Sequence, residues 1–308
     1  MGKVIAFALE AAGAPIVKGG AGKAVAAFRG LIEEHGGEIR TGADVERILV
    51  RGGKAVGVRL ASGEEIEATK SVIASVVPSQ LYGRLLGDDA PTAMHEVARS
   101  YRHGRGNLQL HYALDRAPRW KTPGLEKVAL IHLSDGIDAV SQSHNEATRG
   151  LLPAMPTICV GQPSALDPSR CPEGKAILWI QVPDAPRAIK GDAAGTISTQ
   201  DSWDEPTREA FADRIETILA NHIHDFRETV LARRAYSPAD LEAMNVNLVG
   251  GDPYGGACTI DQFFVWRPFG GAARHRSAVK SLYHIGASTH PGPGLGGGSG
   301  FLVSKEFR

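Results

Sequence analysis

Ser281-Leu-Tyr-His-Ile-Gly286-Ala-Ser-Thr-His290-Pro-Gly-Pro-Gly294-Leu-Gly-Gly-Gly298-Ser-Gly300-Phe-Leu-Val-Ser-Lys-Glu-Phe-Arg308 is the stretch whose reading decides the fold. Leu282 to Ile285 predicts a short apolar strand, and Phe301, Leu302 and Val303 mark the start of a helix. Between them, six of the nine residues from Gly292 to Gly300 are glycine, which no packed core requires. Glycine lacks Cβ and tolerates positive φ, so the backbone can approach a flat or phosphorylated ligand closely. The helix start that follows would turn unpaired N–H groups and a positive dipole end toward anionic oxygen. A flexible linker is the alternative, but linkers seldom join an apolar strand to an apolar helix start.

Composition narrows the field. The chain has 308 residues, enough for one large domain or two ordinary ones. Its 34 basic and 34 acidic residues cancel, which argues against nucleic acid as a partner. Three scattered cysteines, Cys159, Cys171 and Cys258, form no CxxC pair. They suggest neither zinc nor a disulfide framework, and favour a reducing compartment such as the cytoplasm. No apolar run is long enough to span a bilayer, although an apolar patch would still permit a peripheral membrane contact.

From the beginning, Lys3 to Ala12 reads as a short apolar piece, and Ala24 to His35 as a helix with Val25, Phe28, Leu31 and Ile32 on one face. Two nucleotide motifs fail just before it. A Walker loop would need glycine at Val17 and Ser or Thr at Ala24, and a dinucleotide fingerprint would need a small residue at Val25. Glu38 to Thr41 suggests a strand. Ala43 to Val50, Ala55 to Leu60 and Glu65 to Ala68 predict a meander turned by Gly52-Gly53 and Ser62-Gly63. Val72 to Val77 has the continuous apolar character of a fully buried strand.

Leu81 to Leu86 and Ala93 to Arg99 read as helices. Asn107 to Leu114, Val128 to Leu133, Thr157 to Val160 and Ala176 to Val182 read as strands. Ser202 to Ile223 predicts a long helix with Phe211, Ile215, Ile218 and Leu219 on one side, and Ser237-Pro-Ala-Asp240 a capped helix start. The pattern implies an α/β chain with α+β character. Its segments divide as 1–78, 79–245 and 246–308, the middle one a sheet-based substrate domain.

Catalytic signatures are few. The pair His222 and His224 sits near a helix end, where solvated cations are common, and no metal site is expected. His284 and His290 flank the terminal loop and either could meet a ligand, though His290-Pro291 could equally shape the turn. Gly298-Ser299-Gly300 does not complete a GxSxG elbow. Asp261 and Arg267 form either a structural ion pair or a cofactor contact. No proton-transfer machinery stands out, as expected where an organic cofactor carries the redox chemistry.

Three separated segments carry a family resemblance. Val17-Lys-Gly-Gly-Ala-Gly-Lys, the following helix, His35-Gly-Gly-Glu-Ile-Arg-Thr-Gly-Ala-Asp-Val45 and Gly57-Val-Arg-Leu-Ala-Ser-Gly63 form the first. Pro163-Ser-Ala-Leu-Asp-Pro-Ser169 with Ser237-Pro-Ala-Asp-Leu-Glu242 form the second, and Leu282 to Gly300 the third. Together they resemble the carotenoid-desaturase-like branch of the flavin-dependent amine oxidase superfamily, with phytoene desaturases and retinol saturase. The second set is similar to the subgroup of pyridine nucleotide-disulfide oxidoreductase domain-containing protein 2.

The resemblance implies a part of an FAD/NAD(P)-binding Rossmann-like domain at both ends of the chain, around the substrate domain. It implies FAD contacts from the Val45 backbone to adenine, and from Gly286, Ala287, Thr289, His290, Gly294, Leu295, Gly296, Gly297 and Gly298 to the pyrophosphate, ribityl chain and flavin edge. It implies an apolar, polyenoic or carotenoid-like substrate. Family members begin with a strand–GxGxxG–helix unit that this sequence does not show at its start. A second chain or a homo-oligomer supplying it, a shortened chain, or a non-catalytic binding domain derived from the fold would each account for that.

Overall fold

The computed structural model describes residues 10–11, 13, 15–294 and 297–307. The expected piece from Lys3 to Ala12 falls mostly outside them. Helix α1 (Ala21–Glu34) starts at Gly20, whose φ of 99° suits glycine. Its approach is fixed by the Gly19 N–H, which donates to Asp167 Oδ2 at 2.6 Å. The first and second of the segments that carry the family resemblance therefore meet here in space.

Strands β1 (Val45–Arg51), β2 (Lys54–Leu60) and β3 (Glu65–Glu67) form the expected antiparallel meander. Gly57 is required within it, because a Cβ there would lie 2.3 Å from the Ile66 carbonyl oxygen. Next comes β4 (Val72–Ala74), parallel to the late strand β14 (Leu282–His284). This pair brings the two ends of the chain together. The π-helical turn Ser79–Leu85 and helix α2 (Thr92–Ser100) follow β4.

The middle builds a five-stranded antiparallel sheet from β5 (Gly106–Leu114), β7 (Leu130–Leu133), β9 (Ile158–Gly161), β10 (Ala176–Ala185) and β13 (Val230–Tyr236), in the order β13-β5-β10-β9-β7. Two-residue strands β6 (Arg119–Trp120), β8 (Leu151–Leu152), β11 (Gly191–Asp192) and β12 (Ile223–His224) pair around it as β12 with β6 and β11 with β8. Strand β10 alternates buried and half-buried residues along most of its length, as a sheet covered fully on one face should. Helix α3 (Ile137–Thr148) precedes β8. Helix α4 (Glu205–His222), capped by the Asp204 carboxylate on the Thr207 N–H, lays Phe211, Ile215 and Leu219 into the core of the sheet. Short helices α5 (Phe226–Thr229) and α6 (Pro238–Met244) flank β13, the latter with a full Ser237–Asp240 capping box. Helix α7 (Gly298–Ser304) lies near the C-terminus.

Two apolar cores result. One contains only residues between Leu108 and Ala235. The other joins Ile48, Ala55, Ala74, Leu81, Tyr82, Leu85, Leu86 and Ala90 to Val279 and Leu282. Residues 81–90 thus pack with the first and last segments, past the position 78 at which the sequence suggests a boundary.

Two expectations fail for one physical reason. Glu38–Thr41 forms no strand, and Val72–Val77 yields only the three residues of β4, with Ile73 47% exposed. Each segment has strand character but lacks neighbours. Glu38–Thr41 has no ladder partner among the described residues, and β4 has β14 alone. Similarly, the predicted apolar stripe of α1 forms, but Val25, Phe28, Leu31 and Ile32 are all exposed and no residue of the helix is buried.

Candidate functional site

Strand β14 delivers the chain to the glycine-rich turn, and β4 beside it fixes where the turn begins: the Ile285 N–H donates to the Ala74 carbonyl at 2.9 Å. Gly286 then adopts φ +97°, where a Cβ would come within 2.8 Å of Ser75 Oγ. Its N–H donates to Ser299 Oγ at 3.0 Å, tying the start of the loop to α7. Thr289 closes a turn onto the Gly286 carbonyl through its N–H (3.1 Å) and its hydroxyl (2.9 Å). The hydroxyl of Thr289 is therefore engaged in shaping the loop.

Arg267 braces the loop from behind, and its guanidinium is completely buried. It donates to the carbonyls of Ala287 (2.7 Å), Tyr254 (2.6 Å), Ala257 (3.2 Å), Gly256 (3.3 Å) and Gln262 (3.4 Å). Neither sequence reading of Arg267 holds. Asp261 is exposed and pairs with Arg102 instead, while Arg267 binds the backbone of two loops together. Nearby, Asp252 is fully buried and accepts the N–H groups of Gly104 (2.7 Å), Tyr254 (2.9 Å) and Gly256 (2.8 Å). Burial alone would raise its carboxyl, but the His103 ring and these N–H donors outweigh it and hold the group below its ordinary value.

The remaining expected residues are distributed as follows. His290 keeps a buried Nδ1 with no hydrogen-bond partner, its ring centroid 6.4 Å from that of His275. Gly294 (φ +155°) and Gly297 (φ +61°) have open space where a Cβ would point, so the backbone there is uncovered. Leu295 and Gly296 lie outside the described residues. Gly298 begins α7, and at seven residues that helix is too short to count as an anion site in its own right. Val45 sits at the start of β1, packed against the same core as Leu282. Its carbonyl accepts Arg84 Nη1 at 3.0 Å, so only part of its backbone polarity is free for a ligand. Histidines 222 and 224 are exposed, and no group of three metal-ligating side chains occurs among the described residues. No described helix is long and apolar enough to cross a membrane.

His284 is the buried titratable group closest to the loop in sequence. Its Nε2 donates to the Val76 carbonyl at 2.6 Å, and its Nδ1 has no partner. Burial drives its pKa down to about 4, and His275, which donates Nδ1 to the His284 carbonyl, is lowered by the same cause. A histidine held neutral stabilises the fold fully above its unfolded pKa, and that contribution is lost as pH falls toward the folded value. Stability should therefore decline between about pH 6.5 and 4, with His284 alone accounting for roughly 3 kcal/mol. Melting temperatures across that range check this. In His284→Gln, which keeps a donor for Val76 but cannot titrate, the decline should be visibly shallower, and an identical decline would reject the assignment.

Among known proteins, the family model described as flavin containing amine oxidoreductase matches residues 2–189. Pyridine nucleotide-disulfide oxidoreductase domain-containing protein 2 of Rattus norvegicus is 28% identical over 295 residues, covering 92% of this chain and 49% of that protein. The zeta-carotene-forming phytoene desaturase of Myxococcus xanthus is 28% identical over 284 residues, covering 90% and 49%. An oxidoreductase structure from Methanosarcina mazei superposes with a TM-score of 0.55 at 17% identity, over 94% of this chain and 55% of that one. The last likeness concerns fold alone. The chain spans about half the length of the curated relatives it matches.

Proposed function

The chain belongs to the flavin-containing amine oxidoreductase family, and on that premise we propose that it forms one wall of the flavin site, and the substrate domain, of an FAD-dependent oxidoreductase. The substrate class is apolar and polyenoic or carotenoid-like, in keeping with the desaturase among the relatives. Bound FAD would supply the hydride acceptor for oxidation of a C–C bond.

The observation that carries this reading is the loop itself. Its start is pinned to β4 and to Arg267 and tied to Ser299 of α7, while the backbone at Gly294 and Gly297 stays uncovered and the buried His290 Nδ1 lacks a partner. A flat ligand with hydrogen-bonding edges fits that combination. Gly286, Ala287, His290, Gly294, Gly297 and Gly298 would hold it, Thr289 and Ser299 would fix the shape of the loop, and Val45 would offer backbone at the far end. The exposed apolar face of α1 and the exposed Ile73 of β4 favour a further polypeptide segment against that side, completing the ADP half of the site.

Gly294→Val tests the assignment. At φ +155° valine is strained, and its side chain would occupy the space proposed for the ligand. With such a segment supplied by co-expression, the wild-type protein should purify yellow and release flavin on denaturation. The variant should lose that flavin while its circular dichroism stays native. Equal flavin in both would make the loop a linker, and no flavin in the wild type would favour a non-catalytic binding domain.

A further inference from the structure

A cavity of about 630 Å³ is lined in part by the segment that Arg267 braces. Its walls come from the approach to β5, the end of α3, the chain following β10, and Tyr254 to Thr259. The same segment meets the terminal loop directly, since Ser288 Oγ donates to the Gly255 carbonyl at 2.7 Å. Cavity and loop thus share the segment from Tyr254 to Gly256.

The charge of the cavity is one-sided. Arg105, Arg149, Arg187 and Lys190 line it, and no carboxylate does. Behind the wall, Asp184 neutralises Arg105 at 3.1 Å, and Asp252 is satisfied by three backbone N–H groups. Among the described residues, the side chains of Arg149, Arg187 and Lys190 make no ion pair or hydrogen bond. Isolated surface cations are ordinary, but here three converge on one cavity in a chain with 34 basic and 34 acidic residues overall. On the same wall the His103 side chain, 8% exposed, turns its Nδ1 toward the Asp252 carboxylate at 3.8 Å, so that acid is engaged away from the cavity. His144, lowered by burial and by Arg105, adds no compensating negative charge.

We propose that this cavity binds the oxyanion head, a carboxylate or a phosphate, of a small amphipathic molecule. Arginine forks match either group in two-point contacts, while Ala147, Pro183, Ala188 and Ala257 offer apolar surface for the remainder. Calling this molecule the substrate rests on the oxidoreductase reading. The binding site itself does not, because it is built from residues outside the flavin loop.

The test is calorimetric titration of the purified chain with octanoate, octyl phosphate and 1-octanol at one ionic strength. At least one of the anions should bind about tenfold or more tightly than the alcohol, the equivalent of one well-formed charged contact. The double variant Arg187→Gln/Lys190→Gln should lose that preference while keeping its melting temperature, and Lys127→Gln, away from the cavity, should keep it. Tighter binding of octanoate identifies a carboxylate ligand, tighter binding of octyl phosphate a phosphate ligand, and equal binding a general oxyanion site. Alcohol binding as tight as that of both anions, or a double variant that behaves as wild type, overturns the proposal. Flavin retention is read separately: colourless protein that prefers the anions rejects only the flavin reading, and yellow protein indifferent to charge rejects only this one.

Discussion

Arg267→Met is expected to lower the melting temperature by about 5 °C, a loss of about 3–4 kcal/mol. The guanidinium is fully buried and its partners are five carbonyl oxygens. Three of these, on Tyr254, Ala287 and Gln262, have no other hydrogen bond among the described residues. A buried carbonyl left without a donor costs about 1–3 kcal/mol. Methionine would recover some apolar burial and remove the cost of desolvating a charge, which can make such exchanges neutral. Here the lost donors decide the sign, because the carbonyls stay in place when the side chain changes. Arg267→Lys separates charge from geometry. Lysine keeps the charge, but its compact ammonium cannot reach two loops at once, so it should restore little of the loss. Thermal unfolding followed by circular dichroism measures both variants, and a methionine variant as stable as wild type would falsify the bracing role.

What the sequence made legible, and what it hid, follows from how local each determinant is. The meander of β1 to β3 was readable because alternation and paired turn residues lie within a few positions of one another. The same holds for α4 and for the Ser237 capping box, whose signals are short and internal. Strand β13 escaped notice because Arg233 interrupts its apolar character, and only the structure shows that charge satisfied by Glu209, Asp213 and Glu216 of α4. Helix α3 was hidden because it buries Ser143, Glu146 and Ala147 instead of an apolar stripe. Glu38–Thr41 and Val72–Val77 show the reverse error, strand-forming sequence without enough neighbours to form a full strand. At the site, the glycine loop announced itself by composition. Arg267 did not, since its acceptors are scattered carbonyls that no side-chain motif records.

Gly256→Ala should be comparably damaging, about 3–5 kcal/mol, for a steric reason that the same wall supplies. A Cβ at Gly256 would lie 2.0 Å from Tyr101 Oη and 2.5 Å from Cζ, and the residue has φ +144°, where alanine is strained. Overpacking costs about 1–3 kcal/mol and unfavourable backbone about as much again. The tyrosine cannot simply step aside. It is 7% exposed, and its hydroxyl donates to the Gly255 carbonyl at 2.8 Å. That carbonyl also accepts Ser288 Oγ, so displacing the ring disturbs the loop from Gly286 to His290 as well as the cavity wall. Two consequences separate this from generic destabilisation. With Tyr101→Ala in the background the clash partner is gone, so the double variant should be more stable than the sum of the single losses predicts by at least about 1 kcal/mol. Flavin retention and octanoate binding should fall together in Gly256→Ala, whereas Gly294→Val should affect flavin alone. Strict additivity in the first experiment, or independent behaviour in the second, would show that the segment from Asp252 to Cys258 is not a shared wall.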